Sequence, residues 1–195
     1  MTGRILLGGG IGSGKTAAGG VFAGLGAAVF SADEAARRAL EPGSPLETAV
    51  RRRWPEAAAG GAIDRRLLGR IVFGDPAALS ELESMTHPLI REMLLAQVAA
   101  TDAGRPVVVE IPLPVDFLGP GWTRVAVDAP EPIRRRRLQG RGLEVEEIEA
   151  RMAAQPDRGA WLEWADHVID NGGRRGRLRR QCRRLWRRLA TGAGI

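Results

Sequence analysis

Gly9-Gly10-Ile11-Gly12-Ser13-Gly14-Lys15-Thr16 follows the apolar run Arg4-Ile5-Leu6-Leu7 and precedes a segment, 15–25, that reads as a helix. The stretch satisfies G-x-x-x-x-G-K-[ST] without a mismatch. Each part has a chemical reason. Glycines let the backbone fold back so that successive N–H groups point inward. The helix that follows turns its positive N-terminal end toward phosphate. Lys15 bridges the β- and γ-phosphates, and the Thr16 hydroxyl reaches magnesium. ATP and Mg2+ are therefore the expected cofactors, and residues 9–16 the expected cradle. A chain with 26 glycines offers chance matches, but this one needs the sole lysine of the chain at the right place.

That lysine is informative. The net charge is +6, yet apart from Lys15 every basic residue but the two histidines is arginine. Where arginine serves everywhere else, one lysine marks a position that requires a compact, mobile ammonium rather than a planar guanidinium. With 195 residues, 44% of them hydrophobic and 27% charged, the chain has the balance of a globular protein able to bury a core. Cys182 is the only cysteine, which excludes a disulfide framework and thiolate zinc sites. His87 and His167 are the only histidines, so a His/Cys metal cluster is not expected. No apolar run approaches the roughly 20 residues of a membrane helix. The short run Ile5-Leu6-Leu7 does not read as a signal peptide, and a cytoplasmic setting is expected.

Outward from the loop, 27–30 reads as a second strand ending at Ser31 and Asp33, and 33–40 as a helix stopped near Glu41-Pro42-Gly43. From 44 to 100, Leu67, Leu68, Ile71, Val72, then Leu79, Leu82, Met85, then Leu89, Ile90, Met93, Leu94 recur at helical spacing, punctuated by Asp75-Pro76 and His87-Pro88. Strands return at 107–111 and 125–128, apolar throughout as in a parallel sheet buried on both faces. Between them 112–122 reads as a loop with a helical turn. Helices are expected over 131–140 and 144–154, a last strand over 167–170, and an amphipathic helix over 174–189 with Leu178, Cys182, Leu185 and Leu189 on one face. The alternation predicts an α/β fold: a three-layer α/β/α P-loop NTPase domain over 1–195, with a five-stranded parallel sheet. A helical acceptor-binding insertion would occupy 44–100, and a lid 131–154.

Two carboxylates stand at strand ends, where α/β ligand sites form. Glu110 can hold magnesium through water, and Asp33 can accept the proton of an attacking hydroxyl. The plainer alternatives are a solvated strand end for Glu110 and, for Asp33, the cap of a helix starting at Glu34. His87 could satisfy a helix end, His167 reads as structural, and most of the five tryptophans read as core or boundary residues. The arginines of 134–137 and 174–188 read as solvated helix faces or as a field for anionic substrates. An accessory RNA or membrane-surface role stays open for the last helix alone.

Taken together, these elements resemble the dephospho-CoA kinase family over residues 4–173. The resemblance is carried by Gly9 to Thr16, Ala32-Asp33 with Ala36-Arg37, and Pro42-Gly43. It continues through Asp64-Arg65 with Leu68, Val72-Phe73, Leu79, Leu82, Glu83 and His87-Pro88-Leu89-Ile90, then Pro112-Leu113. Arg151 with Gln155, Ala165-Asp166 and Ile169-Asp170-Asn171 complete it. The resemblance implies transfer of the ATP γ-phosphate to the ribose 3′-hydroxyl of dephospho-CoA, giving CoA and ADP. It implies Lys15, Asp33 and Arg141 as catalytic residues. Arg37, Arg65, His87, Pro112, Leu113 and Asp116 would join Asp33 on the acceptor side. Arg136 would close on the phosphates, Asn171 would lie near the adenine, and Thr16 and Glu110 would serve the metal. Dephospho-CoA is the expected partner, with no nucleic acid and no membrane, and the protein is expected to be a monomer or weak homo-oligomer. The chain departs from the family pattern at Gly8 (commonly Thr) and Ser31 (commonly Asp). The Pro-Leu-Leu-x-Glu element reads Pro112-Leu113-Pro114-Val115-Asp116. The lid reads Gly140-Arg141-Gly142, and a Glu-x-Lys pair reads Gly159 and Trp161. The competing functions are a kinase for another small acceptor, a degenerate ATP-binding protein and an RNA-binding module.

Overall fold

The computed structural model describes residues 3–190; the ends of the 1–195 domain span lie outside the described residues. In chain order the elements are β1 (Arg4–Gly8), α1 (Lys15–Ala23), β2 (Ala28–Ser31), α2 (Ala32–Ala39), α3 (Pro45–Arg53), a 3-10 turn (Pro55–Ala58), α4 (Arg65–Phe73) and α5 (Pro76–Ala99). They continue with β3 (Val107–Glu110), β4 (Thr123–Asp128), α6 (Glu131–Gln139), α7 (Val145–Ala153), α8 (Arg158–Trp164), β5 (His167–Asp170) and α9 (Arg175–Ala190). The chain forms two compact units, one from the segments up to Ser31 and from Ala100 onward, the other from Ala32–Ala99.

The first unit is built on a five-stranded sheet in the order β2-β3-β1-β4-β5. All its pairings are parallel, with Leu7 of β1 opposite both Glu110 and Val125. β1 is the central strand, and Ile5, Leu6 and Leu7 in it are at most 1% exposed. Side chains alternate across the sheet. Ile5 and Leu7 face the cluster of Ala18 and Phe22 from α1 with Leu178, Cys182 and Leu185 from α9. Gly8 faces the other way, toward Trp161 of α8. Helices on both faces explain why the strands read as unbroken apolar runs. The spacing of Leu178, Cys182 and Leu185 thus marks the buried stripe of α9, and burial pushes the Cys182 thiol up to about 11. α8 has no counterpart among the helices expected from sequence. It is short and contains Gly159, and its start is set by Asp157, whose carboxylate accepts from the Ala160 amide at 2.8 Å. The segment 112–122 carries bends and a turn rather than a helix.

The second unit buries Ala39, Leu46, Val50, Trp54, Leu68, Val72 and Ala78 in one core. Its boundary differs from the expected 44–100, since it opens at Ala32. α2 belongs to it because Ala39 buries in that core and Leu40 packs against it. The structure also corrects the break expected at His87-Pro88. α5 runs through it, with Pro88 inside the helix. An interior proline costs a helix about 3 kcal/mol. Leu79, Leu82, Met85, Leu89 and Met93, on both sides of it, pack on the same core. Burying several such side chains, at roughly 1.5–3 kcal/mol each when complete, outweighs that cost.

α4 begins at a capping carboxylate. Asp64 Oδ1 accepts from the amides of Arg66 (2.9 Å) and Leu67 (3.0 Å). The Leu67 amide, then that of Arg66, hold the Asp64 carboxyl below its ordinary value. A depressed folded pKa adds stability that is complete above the unfolded value of about 4 and is lost as pH falls through the folded value. Asp64→Ala should therefore lower the melting temperature at pH 7, with a gap to the parent that closes as pH falls below about 4. A gap constant in pH would show that the cap acts without its charge.

Candidate active site

The loop between β1 and α1 turns on glycines whose φ values no other residue adopts readily: 143° at Gly9, 77° at Gly12 and 101° at Gly14. A Cβ at Gly14 would overlap the Asn171 amide nitrogen, and one at Gly9 the Val127 carbonyl. Gly14 is the N-cap of α1 and offers no capping side chain. The first-turn amides of α1 therefore lack a side-chain acceptor, as a phosphate site requires.

The carbonyls of the loop are tied down from behind. Arg134 Nε donates to the Ile11 carbonyl (2.8 Å), and Arg137 Nη1 to those of Gly12 (3.2 Å) and Ser13 (3.1 Å). Asn171 Nδ2 donates to the Ser13 carbonyl (2.6 Å), and Lys15 Nζ to that of Gly9 (2.5 Å). Gln155 Oε1 accepts from the Ile11 amide (2.7 Å). In a peptide unit the oxygen and the N–H point opposite ways, so holding the Ile11 and Ser13 oxygens turns the Gly12 and Gly14 amides the other way, while the Ser13 amide is bonded to the Gly10 carbonyl. Ser13 Oγ is buried without a hydrogen-bond partner. This orphaned hydroxyl and the uncapped N-terminus of α1 fit a bound polyphosphate.

The arginines of α6 divide differently from the sequence expectation. Arg136 is exposed, and the contacts to the loop come from Arg134 and Arg137. Arg134 is 8% exposed. Burial pulls the ordinary pKa of both guanidiniums down, aided at Arg137 by the charges of Arg136 and Arg141. Arg134 and Arg137 are i, i+3 neighbours on one face of α6, which Arg136 leaves, but nothing in the run 134–137 marks that face as the one turned to the loop. Arg141 lies in the turn after α6, where Gly142 has φ 82°. With Gly14, Arg137 and Asn171, Arg141 lines a groove of about 630 Å3. Asn171 is 6% exposed, and its backbone oxygen accepts from Arg137 Nη2 (2.6 Å).

On the metal side, Glu110 ends β3, and its Oε2 lies 3.4 Å from Thr16 Oγ1 on α1. Gly19 makes this approach possible, because a Cβ there would overlap Glu110 Oε1. A hydroxyl facing a carboxylate is the sparse protein donor set that magnesium takes beside phosphates and waters. Of the residues expected on the acceptor side, Pro112 is half-buried and Leu113 exposed. Asp116 accepts from Trp164 Nε1 (3.2 Å) and lies 3.7 Å from Arg124. In the helical unit, Asp33, Arg37, Arg65 and His87 are all exposed. Asp33 and Arg37 share one face of α2 by their i, i+4 spacing, and Arg37 pairs with Glu34. α2 begins at Ala32, so Asp33 lies inside its first turn and does not cap a helix starting at Glu34.

Two departures from the family pattern are one packing event. Trp161, 3% exposed, fills the space that a Cβ at Gly8 would need. Trp164 meets it edge-on at 5.8 Å, and Lys15 Nζ lies 5.8 Å from its ring centroid. A large ring here requires glycine at the end of β1.

Comparison with known proteins gives this geometry a family. The family model described as dephospho-CoA kinase matches residues 4–176. A dephospho-CoA kinase of Frankia casuarinae is 41% identical over 185 residues, covering 93% of this chain and 81% of the relative. One of Thiobacillus denitrificans is 41% identical over 189 residues, covering 94% and 93%. Among solved structures, a Thermus thermophilus protein superposes with a TM-score of 0.84 at 35% identity, over 96% of this chain and 99% of its own. The dephospho-CoA kinase of Campylobacter jejuni superposes with a TM-score of 0.72 at 26% identity, over the whole of both chains. A shikimate kinase of Acinetobacter baumannii, at 16% identity and a TM-score of 0.56, shares the fold. By sequence over nearly its whole length, and by a sheet and phosphate loop of the same kind, the chain belongs to the dephospho-CoA kinase family, the phosphotransferases of the last step of CoA biosynthesis.

Proposed function

We propose that this protein transfers the γ-phosphoryl group of ATP to the ribose 3′-hydroxyl of dephospho-CoA, with the residues above in defined roles. The observation that carries the reading is the phosphate loop, whose carbonyls are held outward and whose Lys15 is the chain's sole lysine.

The inward amides and the N-terminus of α1 receive the β- and γ-phosphates. Lys15 leaves the Gly9 carbonyl for the phosphate oxygens, where it stabilises charge that spreads as the phosphoryl group departs. Thr16 and Glu110 would hold magnesium, Glu110 through water, and the ion would supply positive charge to the phosphates. Asp33 orients the 3′-hydroxyl and takes its proton as the new P–O bond forms and the β–γ bond breaks, leaving ADP. The residues that the family resemblance assigns to the acceptor, Arg37, Arg65, His87, Pro112, Leu113 and Asp116, receive dephospho-CoA. Arg141 closes from the α6–α7 turn and excludes water, so that ATP is spared hydrolysis. The single, buried Cys182 suits a reducing, cytoplasmic compartment.

CoA and ADP should form in equal amounts from ATP, Mg2+ and dephospho-CoA. Lys15→Ala and Asp33→Asn should each lower kcat by about 10²-fold or more while the melting temperature holds. ATP binding without CoA formation in the parent protein would reject the acceptor assignment. Gly19→Ala should push Glu110 off Thr16 and raise the Mg2+ concentration needed for half-maximal rate several-fold, leaving the KM for dephospho-CoA in place. An unchanged Mg2+ dependence would remove Glu110 from the metal site.

A further inference from the structure

The groove that begins at Gly14 does not end at the residues assigned so far. Its floor is one stripe of α1, Ala17, Gly20, Val21 and Gly24, and its far wall is α9, which contributes Leu178, Arg179 and Arg183. The stripe follows helical spacing, and from Gly14 to Gly24 the helix rise spans about 15 Å. Small residues keep this floor low. A Cβ at Gly20 would meet nothing within 4 Å.

The chemistry of the lining is one-sided. Arg137, Arg141, Arg179 and Arg183 line the groove and no carboxylate does. Arg179 and Arg183 are one helical turn apart on α9. Neither pairs with a carboxylate among the described residues, whereas Arg177 of the same helix is bound to Asp170. Guanidiniums stack on π-faces and donate in a fork to ring nitrogens and hydroxyls. Packing fixes α9 beside the groove. Leu178, Cys182 and Leu185 bury with Phe22 and Ala18 of α1, so the exposed flank of the helix borders the opening. Both arginines also lie beyond residue 176, where the family match ends.

We propose that Arg179 and Arg183 are nucleotide-binding residues of the phosphoryl-donor site, contacting the nucleoside end of ATP while the loop holds its phosphates. This rests on the reading of the loop as an ATP site. It makes α9 a working wall of that site rather than only a packing helix.

The test uses calorimetry on the full chain with two ligands, MgATP and inorganic tripolyphosphate, which has the phosphates but no nucleoside. Two variants probe the wall independently: Arg179→Ala with Arg183→Ala, and Gly20→Leu. The second changes no charge and favours the helix, so it should fold at least as well as the parent. Each should weaken MgATP binding about tenfold and leave tripolyphosphate within about twofold, with the KM for dephospho-CoA unchanged. MgATP affinity indifferent to both variants would overturn the proposal. So would equal weakening of both ligands, which would make the arginines a general field for anions. If the parent binds MgATP with this pattern yet forms no CoA, the acceptor assignment fails and the wall stands. If it forms CoA while both variants bind MgATP normally, the wall alone fails.

Discussion

The orientation of the peptide units between Gly9 and Gly14 is the constraint on which this structure turns. An anion cradle needs amides pointing inward, and a free loop has no reason to hold them so. Here side chains from elsewhere in the chain claim three of the loop's carbonyls, Arg134 at Ile11, Arg137 at Gly12 and Ser13, and Asn171 at Ser13, while the Gly10 carbonyl accepts from the Ser13 amide. The sheet makes this possible. β4 pairs beside β1 and carries the chain into α6, while β5 pairs beside β4 and delivers Asn171 at its end. Burying guanidiniums costs free energy, visible in the lowered pKa of Arg134 and Arg137. The backbone oxygens they bind offset part of that cost and orient the loop.

The same site shows how one packing choice constrains another. Trp161 lies on the opposite face of the sheet from α1 and reaches the end of β1, and only a glycine at position 8 leaves it room. Its ring then sits near the Lys15 ammonium, so an apolar side chain at this position still meets the cation through its π-face. Gly19 does the equivalent for the metal side, where the missing side chain lets Glu110 come up to Thr16. Glycines in this protein serve close approach as much as turning.

The helical unit is organised around one apolar core. Its core runs along α5 on both sides of Pro88, and a helix with apolar anchors before and after a proline tolerates the lost hydrogen bond. Residues assigned to the acceptor, Asp33, Arg37, Arg65 and His87, stand exposed on helices whose opposite faces form that core.

The fold class, the strands and the phosphate loop were legible in the chain of residues, because they rest on local signals: unbroken apolar runs, glycine spacing and one lysine among arginines. The buried face of α9 was legible for the same reason, through the period of Leu178, Cys182 and Leu185. Which arginines of α6 hold the loop was settled by the folded arrangement, since a run of four arginines carries no mark of the two that β4 and β5 aim at Ile11 and Gly12. Long-range packing likewise carried α5 through His87-Pro88 and drew α2 into the helical unit, because a shared core outweighs a local breaker. The pairing of Gly8 with Trp161 was hidden for the most physical of reasons: 153 positions apart in sequence, they meet only when α8 folds back over the end of β1.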